Sequence, residues 1–160
     1  MIRLSRNADY GIVIMTELAR LSGRSANTPE VAERTGVPQP MAGKILKQLA
    51  RADLLASQRG AKGGYLLTRS ARLITVAEII EALDGPIAMT ACIEVGPGEC
   101  ELETTCPARS NWHRINAAIR DALDQISLAE MVDGWTLGRG GLLAGDIVAR
   151  DDIQSSRVAS

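Results

Sequence analysis

Three cysteines, Cys92, Cys100 and Cys106, fall within fifteen residues of one another in the segment ACIEVGPGECELETTCPARSNW, separated by seven and then five residues. Gly96, Pro97 and Gly98 sit between the first two and predict a loop rather than a helix, so that the three thiolates can turn toward one centre. Converging soft thiolates select zinc, copper(I) or an iron–sulfur cluster. A structural zinc site ordinarily shows C-x₂₋₄-C pairs and four N/S ligands, a pattern absent from this spacing. A cluster tolerates irregular spacing and a non-cysteine ligand. The odd cysteine count also argues against a disulfide framework. The alternative is three unrelated thiols, buried or exposed. Enzymatic chemistry finds no support: a cysteine nucleophile at Cys100 or Cys106 needs a placed base, and His113 is the sole histidine.

A second set of residues is basic. The chain of 160 residues has a net charge of −1, yet residues 1–75 carry 12 basic and 5 acidic side chains, a net of +7, against −8 for the remainder. A polyanion would be met by the first half alone. Within that half, Lys44, Lys47 and Arg51 share the outer face of a predicted helix, with Gln39 near its start, and Arg59 and Lys62 flank a glycine-rich turn. Aromatic residues make up only 2% of the chain and phenylalanine is absent, which disfavours the stacking platforms of single-strand binders. The expected partner is double-stranded DNA.

The elements that position these groups follow from periodicity. Ile12, Met15, Leu18 and Ala19 recur at helical spacing in a first helix over about 7–21. A short second helix opens at Thr28-Pro29 and stops at Gly36. A third, over about 40–52, turns Met41, Ile45, Leu46 and Leu49 inward. Two short apolar runs, 54–58 and 65–68, flank Arg59-Gly60-Ala61-Lys62-Gly63-Gly64 and predict a β-hairpin. The turn joins two strands, so it is not the strand-to-helix loop of a phosphate cradle. A fourth helix covers 76–83. Beyond the cysteines, Trp112, Ile115, Ile119, Ala122 and Ile126 repeat at intervals of three and four along a helix over about 108–125. That seam predicts a homodimer through a self-complementary surface, the alternative being packing on its own domain.

The expected fold is mainly α with a small β-hairpin wing: a winged helix-turn-helix over 1–75, a cysteine loop and long dimerisation helix over 76–132, and a flexible tail over 133–160. No run of apolar residues is long enough for a membrane span, and the start lacks the apolar core of a secretory signal, so a cytoplasmic protein with no membrane partner is expected.

These residues together resemble a known family. IRLSRNADYGI at the start, RGAKGGYLL at the wing, ITVAEIIEALDG after it and three cysteines before a long helix are similar to the IscR/NsrR family of iron–sulfur winged-helix regulators, over about 1–132. GPIAMTACIE and CELETTCPARSNWHRIN resemble the subgroup that regulates SUF iron–sulfur assembly genes. The resemblance implies a homodimeric repressor in which Cys92, Cys100 and Cys106 hold a [2Fe–2S] or [4Fe–4S] cluster whose state changes operator affinity. IscR-type members carry a histidine three residues past the last cysteine, where this chain has Arg109. His113 is expected to be exposed or at a dimer contact. Asp9 matches the position from which NsrR-type members supply an aspartate across the subunit boundary, and is the candidate fourth ligand; otherwise it is an ordinary acid in the first turn of a helix. Arg59 matches the wing arginine expected in the minor groove. Pro40 and Gly43 replace a serine and a glutamate that face bases in IscR-type members, so the operator should differ, with Gln39 and Lys44 as substitutes suited to adenine and guanine edges. The rival reading is a cluster carrier that uses its winged helix for protein docking. A regulator answering redox or nitric oxide signals at other genes is a third.

Overall fold

The structure is a computed structural model that describes residues 3–60, 63–90, 93 and 105–138. Helix α1 spans Arg6–Arg20, its first turn closed by the Ser5 hydroxyl, which accepts from the Ala8 N–H at 3.0 Å. Helix α2 spans Thr28–Thr35; Asn27 caps its start by accepting from the Glu30 N–H, and Gly36 ends it at φ 73°, a left-handed conformation that glycine adopts without strain. Two residues later Pro38 and Pro40 set the entry of α3, Gln39–Arg51. Ala42, Ile45, Leu46 and Leu49 of α3 are buried, while Met41 is half-buried, so the inner stripe begins one residue later than the periodicity suggests.

Strands β1, Leu55–Gln58, and β2, Gly64–Leu67, pair antiparallel with Leu55 opposite Leu67 and Gln58 opposite Gly64. Ala26 and Tyr65 exchange two backbone hydrogen bonds at 3.0 and 2.8 Å, which ties the hairpin to the residue just before the α2 cap. Gly64 permits this contact, because a Cβ there would collide with the Ala26 backbone. The wing is thereby held in register with the helix-turn-helix.

Helix α4, Val76–Asp84, starts with a capping box in which Thr75 and Glu78 satisfy each other's backbone N–H groups. Helix α5 spans Arg109–Asp124 and α6 spans Leu128–Gly138. Between them the chain returns to α4: the Val76 N–H donates to the Ile126 carbonyl at 2.9 Å and the Leu128 N–H to the Ile74 carbonyl at 2.8 Å. One core runs through these elements, with Ile14, Met15, Val31, Ile45, Leu46, Leu49, Ile79 and Leu128 all buried in it. Position 75 therefore marks a change of charge rather than a break in packing.

Two expectations need correction. A flexible tail from 133 does not describe residues 133–138, which continue helix α6; the rest of that stretch lies outside the described residues. The helical part of the seam ends before Ile126, because α5 ends at Asp124; Ile126 is in the turn whose backbone pairs with Val76, and its side chain is 39% exposed. No helix among the described residues is long and apolar enough to cross a membrane.

Candidate nucleic-acid interface and cysteine segment

Helix α3 buries one face and leaves the other open. Gln39, Lys44, Lys47 and Arg51 are exposed, and with Thr28, Pro40, Gly43 and Gln48 they line a groove of about 660 Å³. The lining contains three cations and no carboxylate. Four arginines elsewhere in the first half are paired with carboxylates: Arg20 and Arg34 with Glu17 at 2.8 and 3.2 Å, Arg24 and Arg34 with Glu30 at 2.6 and 3.2 Å, and Arg69 with Glu78 at 2.6 Å. These four are engaged in ion pairs, whereas the three cations of the groove have no carboxylate beside them in its lining. Arg59 is likewise exposed, at the end of β1, and Lys62 lies outside the described residues.

One pair of this set, Arg34 with Glu17, joins α2 to α1. Arg24, and after it Arg34, holds the Glu30 carboxyl below the usual carboxylate range by hydrogen bonding and charge, while the hydrogen bond to Glu17 raises Arg34 above its ordinary value.

Thr28 and Gln48 were not expected at the groove. Gln48 carries no charge to flag it, yet it stands four residues after Lys44 and three before Arg51, the spacing of one helical face. Thr28 comes from the opposite end of α2 and is found only through the packing of the two helices.

Of the cysteines, Cys106 alone is among the described residues; it is half-buried just before α5, and its carbonyl accepts from the Arg109 N–H at 3.4 Å. Cys92 and Cys100 lie outside the described residues. Asp9 is exposed on α1, at the rim of a groove of about 450 Å³ whose apolar lining includes Ile12, Val13 and Met131. Among the described residues no three His, Cys, Asp or Glu side chains converge on a common point. Arg109, a permanent cation, is unable to serve as a ligand, and thiolates joined by a carboxylate would form a donor set compatible with an iron–sulfur cluster or zinc.

The expected seam on α5 is uncovered in the single chain. Trp112 is 36% and Ile115 43% exposed, Ala122 is exposed and Ile119 half-buried. His113 is exposed beside them. The adjoining face of α5 holds the helix to α4 through Leu123, which packs with Val76 and Ile80, through the Arg120–Glu81 ion pair at 2.8 Å, and through the Thr75 hydroxyl, which donates to Asp124 at 2.9 Å. Glu81 raises Arg120 above its ordinary value, mainly by their hydrogen bond. Asn116 adds two bonds to the segment after α4: it accepts from the Met89 N–H at 3.1 Å and donates to the Ile87 carbonyl at 2.8 Å.

Comparison with known proteins places these features in context. Residues 4–134 match the family model Rrf2, described as an iron-dependent transcriptional regulator. The chain is 31% identical over 157 residues to the HTH-type transcriptional regulator IscR of Sodalis glossinidius, covering 98% of this chain and 90% of that protein. Its fold is similar to that of T. potens IscR, with a TM-score of 0.67 at 28% identity over 88% of this chain and 93% of that one. It is similar also to CymR, the global cysteine regulator of B. subtilis, with a TM-score of 0.66 at 29% identity over 84% of this chain and 98% of that one.

Proposed function

The chain belongs to the Rrf2 family of transcriptional regulators and is not an enzyme, and from that premise we propose that it is a homodimeric iron–sulfur-sensing repressor of SUF-type assembly genes in the cytoplasm. The observation that carries the reading is the groove on α3, where Lys44, Lys47 and Arg51 stand with no carboxylate while the other described arginines of α1 and α2 from Arg20 onward are paired. An un-neutralised row of cations on an exposed helix next to a wing suits the phosphates and major groove of double-stranded DNA. Gln39 and Lys44 stand near the helix start, where base edges are read, and Arg59 and Lys62 flank the wing.

Cys92, Cys100 and Cys106 would hold the cluster, with Asp9 of the partner subunit as fourth ligand. A bound cluster supplies a crosslink sensitive to oxygen and redox state. The chain's own residues then account for the response. Asp9 is on α1, whose start is fastened to the end of α4 by the Ser5 hydroxyl donating to Asp84 at 2.8 Å. The cysteine segment departs from that same end at Gly85. A pull on Asp9 from the second subunit acts on α1, and α1 packs on α3. The uncovered seam of Trp112, Ile115, Ile119 and Ala122 supports the dimer this needs.

The test is anaerobic purification with the visible spectrum and the iron and sulfide content per chain, followed by operator titration with and without the chromophore. Matched iron and sulfide, lost in Cys100→Ser with the dimer intact, is the expected result. A Cys100→Ser protein with wild-type iron and sulfide would refute the three-thiolate site. A colourless wild-type protein that still binds its operator would place the chain with Rrf2 regulators that answer other signals. Rapid cluster transfer without salt-dependent operator binding would favour the carrier.

A further inference from the structure

Asn7 stands in the first turn of α1, and its side chain reaches two other helices. Its amide nitrogen donates to the backbone carbonyl of Leu83, in the last turn of α4, at 3.1 Å, and to Oε1 of Gln48 on α3 at 3.4 Å. Its own Oδ1 is buried with no hydrogen-bond partner among the described residues. The orientation of this amide is dictated by its neighbours. The Leu83 carbonyl can only accept, so the nitrogen of Asn7 must face it; the flipped amide would set two acceptors against each other. A buried acceptor left without a partner is the visible consequence of keeping the nitrogen in place.

The constraint passes on to Gln48. The nitrogen of Asn7 can only donate, so the atom of Gln48 that faces it must be the oxygen. Gln48 also lines the groove beside Lys44, Lys47 and Arg51. A glutamine free to rotate offers a donor or an acceptor with equal ease. This one has its oxygen engaged on the α1 side, which leaves the two N–H bonds of Nε2 for the groove. An extra neutral donor beside three cations extends a surface built to meet acceptor atoms.

We propose that Gln48 contacts DNA as a hydrogen-bond donor, to a base edge or a phosphate oxygen, and that Asn7 is the positioning residue that fixes its amide. The proposal rests on the reading that the α3 groove faces DNA. It goes beyond that reading by giving one uncharged side chain a defined polarity and by making a residue of α1, outside the groove, part of the recognition surface.

The experiment uses the full chain. A preferred duplex is selected from a random pool, and affinities are measured at fixed salt for that duplex and a scrambled one. Gln48→Ala is expected to weaken binding to the selected duplex about tenfold, Asn7→Ala by a similar factor, and the double variant no more than either alone, since the two act as one unit. Gln48→Glu keeps the oxygen toward Asn7 but turns an acceptor into the groove, and should bind no better than Gln48→Ala. A base-edge contact lowers the ratio of selected to scrambled affinity; a phosphate contact lowers both affinities equally. A purely structural role for Asn7 would lower the thermal midpoint while its losses multiplied with those of Gln48→Ala, and that result would overturn the proposal. So would wild-type affinity in Gln48→Ala or Gln48→Glu, which keeps the test decisive even if Asn7 variants fold poorly. Lys47→Ala separates the two readings: weaker binding with a smaller salt slope, alongside unaffected Gln48 variants, overturns this proposal alone, whereas no effect from either residue overturns the DNA-facing groove as well.

Discussion

Gly11 of α1 and Leu83 of α4 meet with no space for a side chain between them: a Cβ at position 11 would fall inside the envelope of Leu83 Cδ1, with Ile79 close behind. Leu83 and Ile79 belong to the main core, so neither can swing into solvent. Glycine here allows close approach of two helices. That approach also brings Ser5 to Asp84 and Asn7 to the Leu83 carbonyl. Gly11→Val is expected to destabilise the fold by ~1–3 kcal/mol through overpacking. Urea unfolding followed by circular dichroism measures it; a midpoint equal to wild type would show that α1 and α4 can separate without cost.

Gly43 is a different case. A Cβ there would meet only Thr28 Cγ2, at an ordinary 3.5 Å, so packing does not require glycine in the middle of α3. Gly43→Ala should stabilise the helix by roughly 0.5–1 kcal/mol. The added methyl would stand in the groove between Gln39 and Lys47, however, where it raises the floor. The expected outcome is a more stable protein that binds its operator less tightly, read by thermal melting and by titration of the same preparations. Higher stability with unchanged affinity would mean that the groove floor does not approach DNA.

The ion pairs of Glu30 give the stability a pH dependence. Arg24 and Arg34 hold the Glu30 carboxyl below its usual range in the folded chain, so between its ordinary and its lowered value the unfolded chain binds more protons. The contribution of Glu30 is therefore complete above the ordinary carboxylate value and is lost as pH falls through the lowered one. Glu130, lowered by its hydrogen bonds with Ser127, acts in the same direction. Glu30→Gln should be less stable than wild type at neutral pH, and the gap should close on acidification. Denaturation midpoints across pH for both proteins test this; a gap that held constant or widened in acid would mean that the ion pairs contribute nothing.

Much of this architecture was legible because local chemistry and global packing agree. Pro29 and Gly36 marked the two ends of α2, although the capping side chain is Asn27, one residue before the Thr28 that the sequence suggests, and the apolar runs on either side of Gly60 to Gly64 announced the wing. Helix α6 was missed although its signature was present: Ser127 and Glu130 form a capping box, with Ser127 N–H donating to Glu130 at 2.8 Å and Glu130 N–H to the Ser127 hydroxyl at 3.3 Å. Gly134 and Gly138 obscured the periodicity that follows. The same box explains why Ile126 lies beyond the end of α5, since a new helix starting at 128 forces the chain to turn first. The link from Asn7 to Gln48 had no sequence signal, because it exists only where three helices cross. Charge marked Lys44, Lys47 and Arg51 but could not mark an amide.

The seam of α5 leads to the last prediction. Trp112 and Ile115 are exposed on a helix that is fastened to α4 through Leu123, Arg120 and Asp124 on the adjoining face, so their apolar surface is held toward solvent in the single chain. A rigid, ordered apolar stripe loses little conformational entropy on association, and burying it in a two-fold pair stabilises the dimer. Wild type is expected to sediment as two chains of 17.1 kDa. Ile115→Asp places a carboxylate in the middle of that stripe and should sediment as one. Because Ile115 is 43% exposed, its thermal midpoint at low concentration should match that of dissociated wild type. Operator affinity should fall toward that of a half-site. A variant that still sediments as a dimer would move the interface off the seam, and a wild-type monomer would rule out the proposed ligation of one chain's cluster by Asp9 of a second.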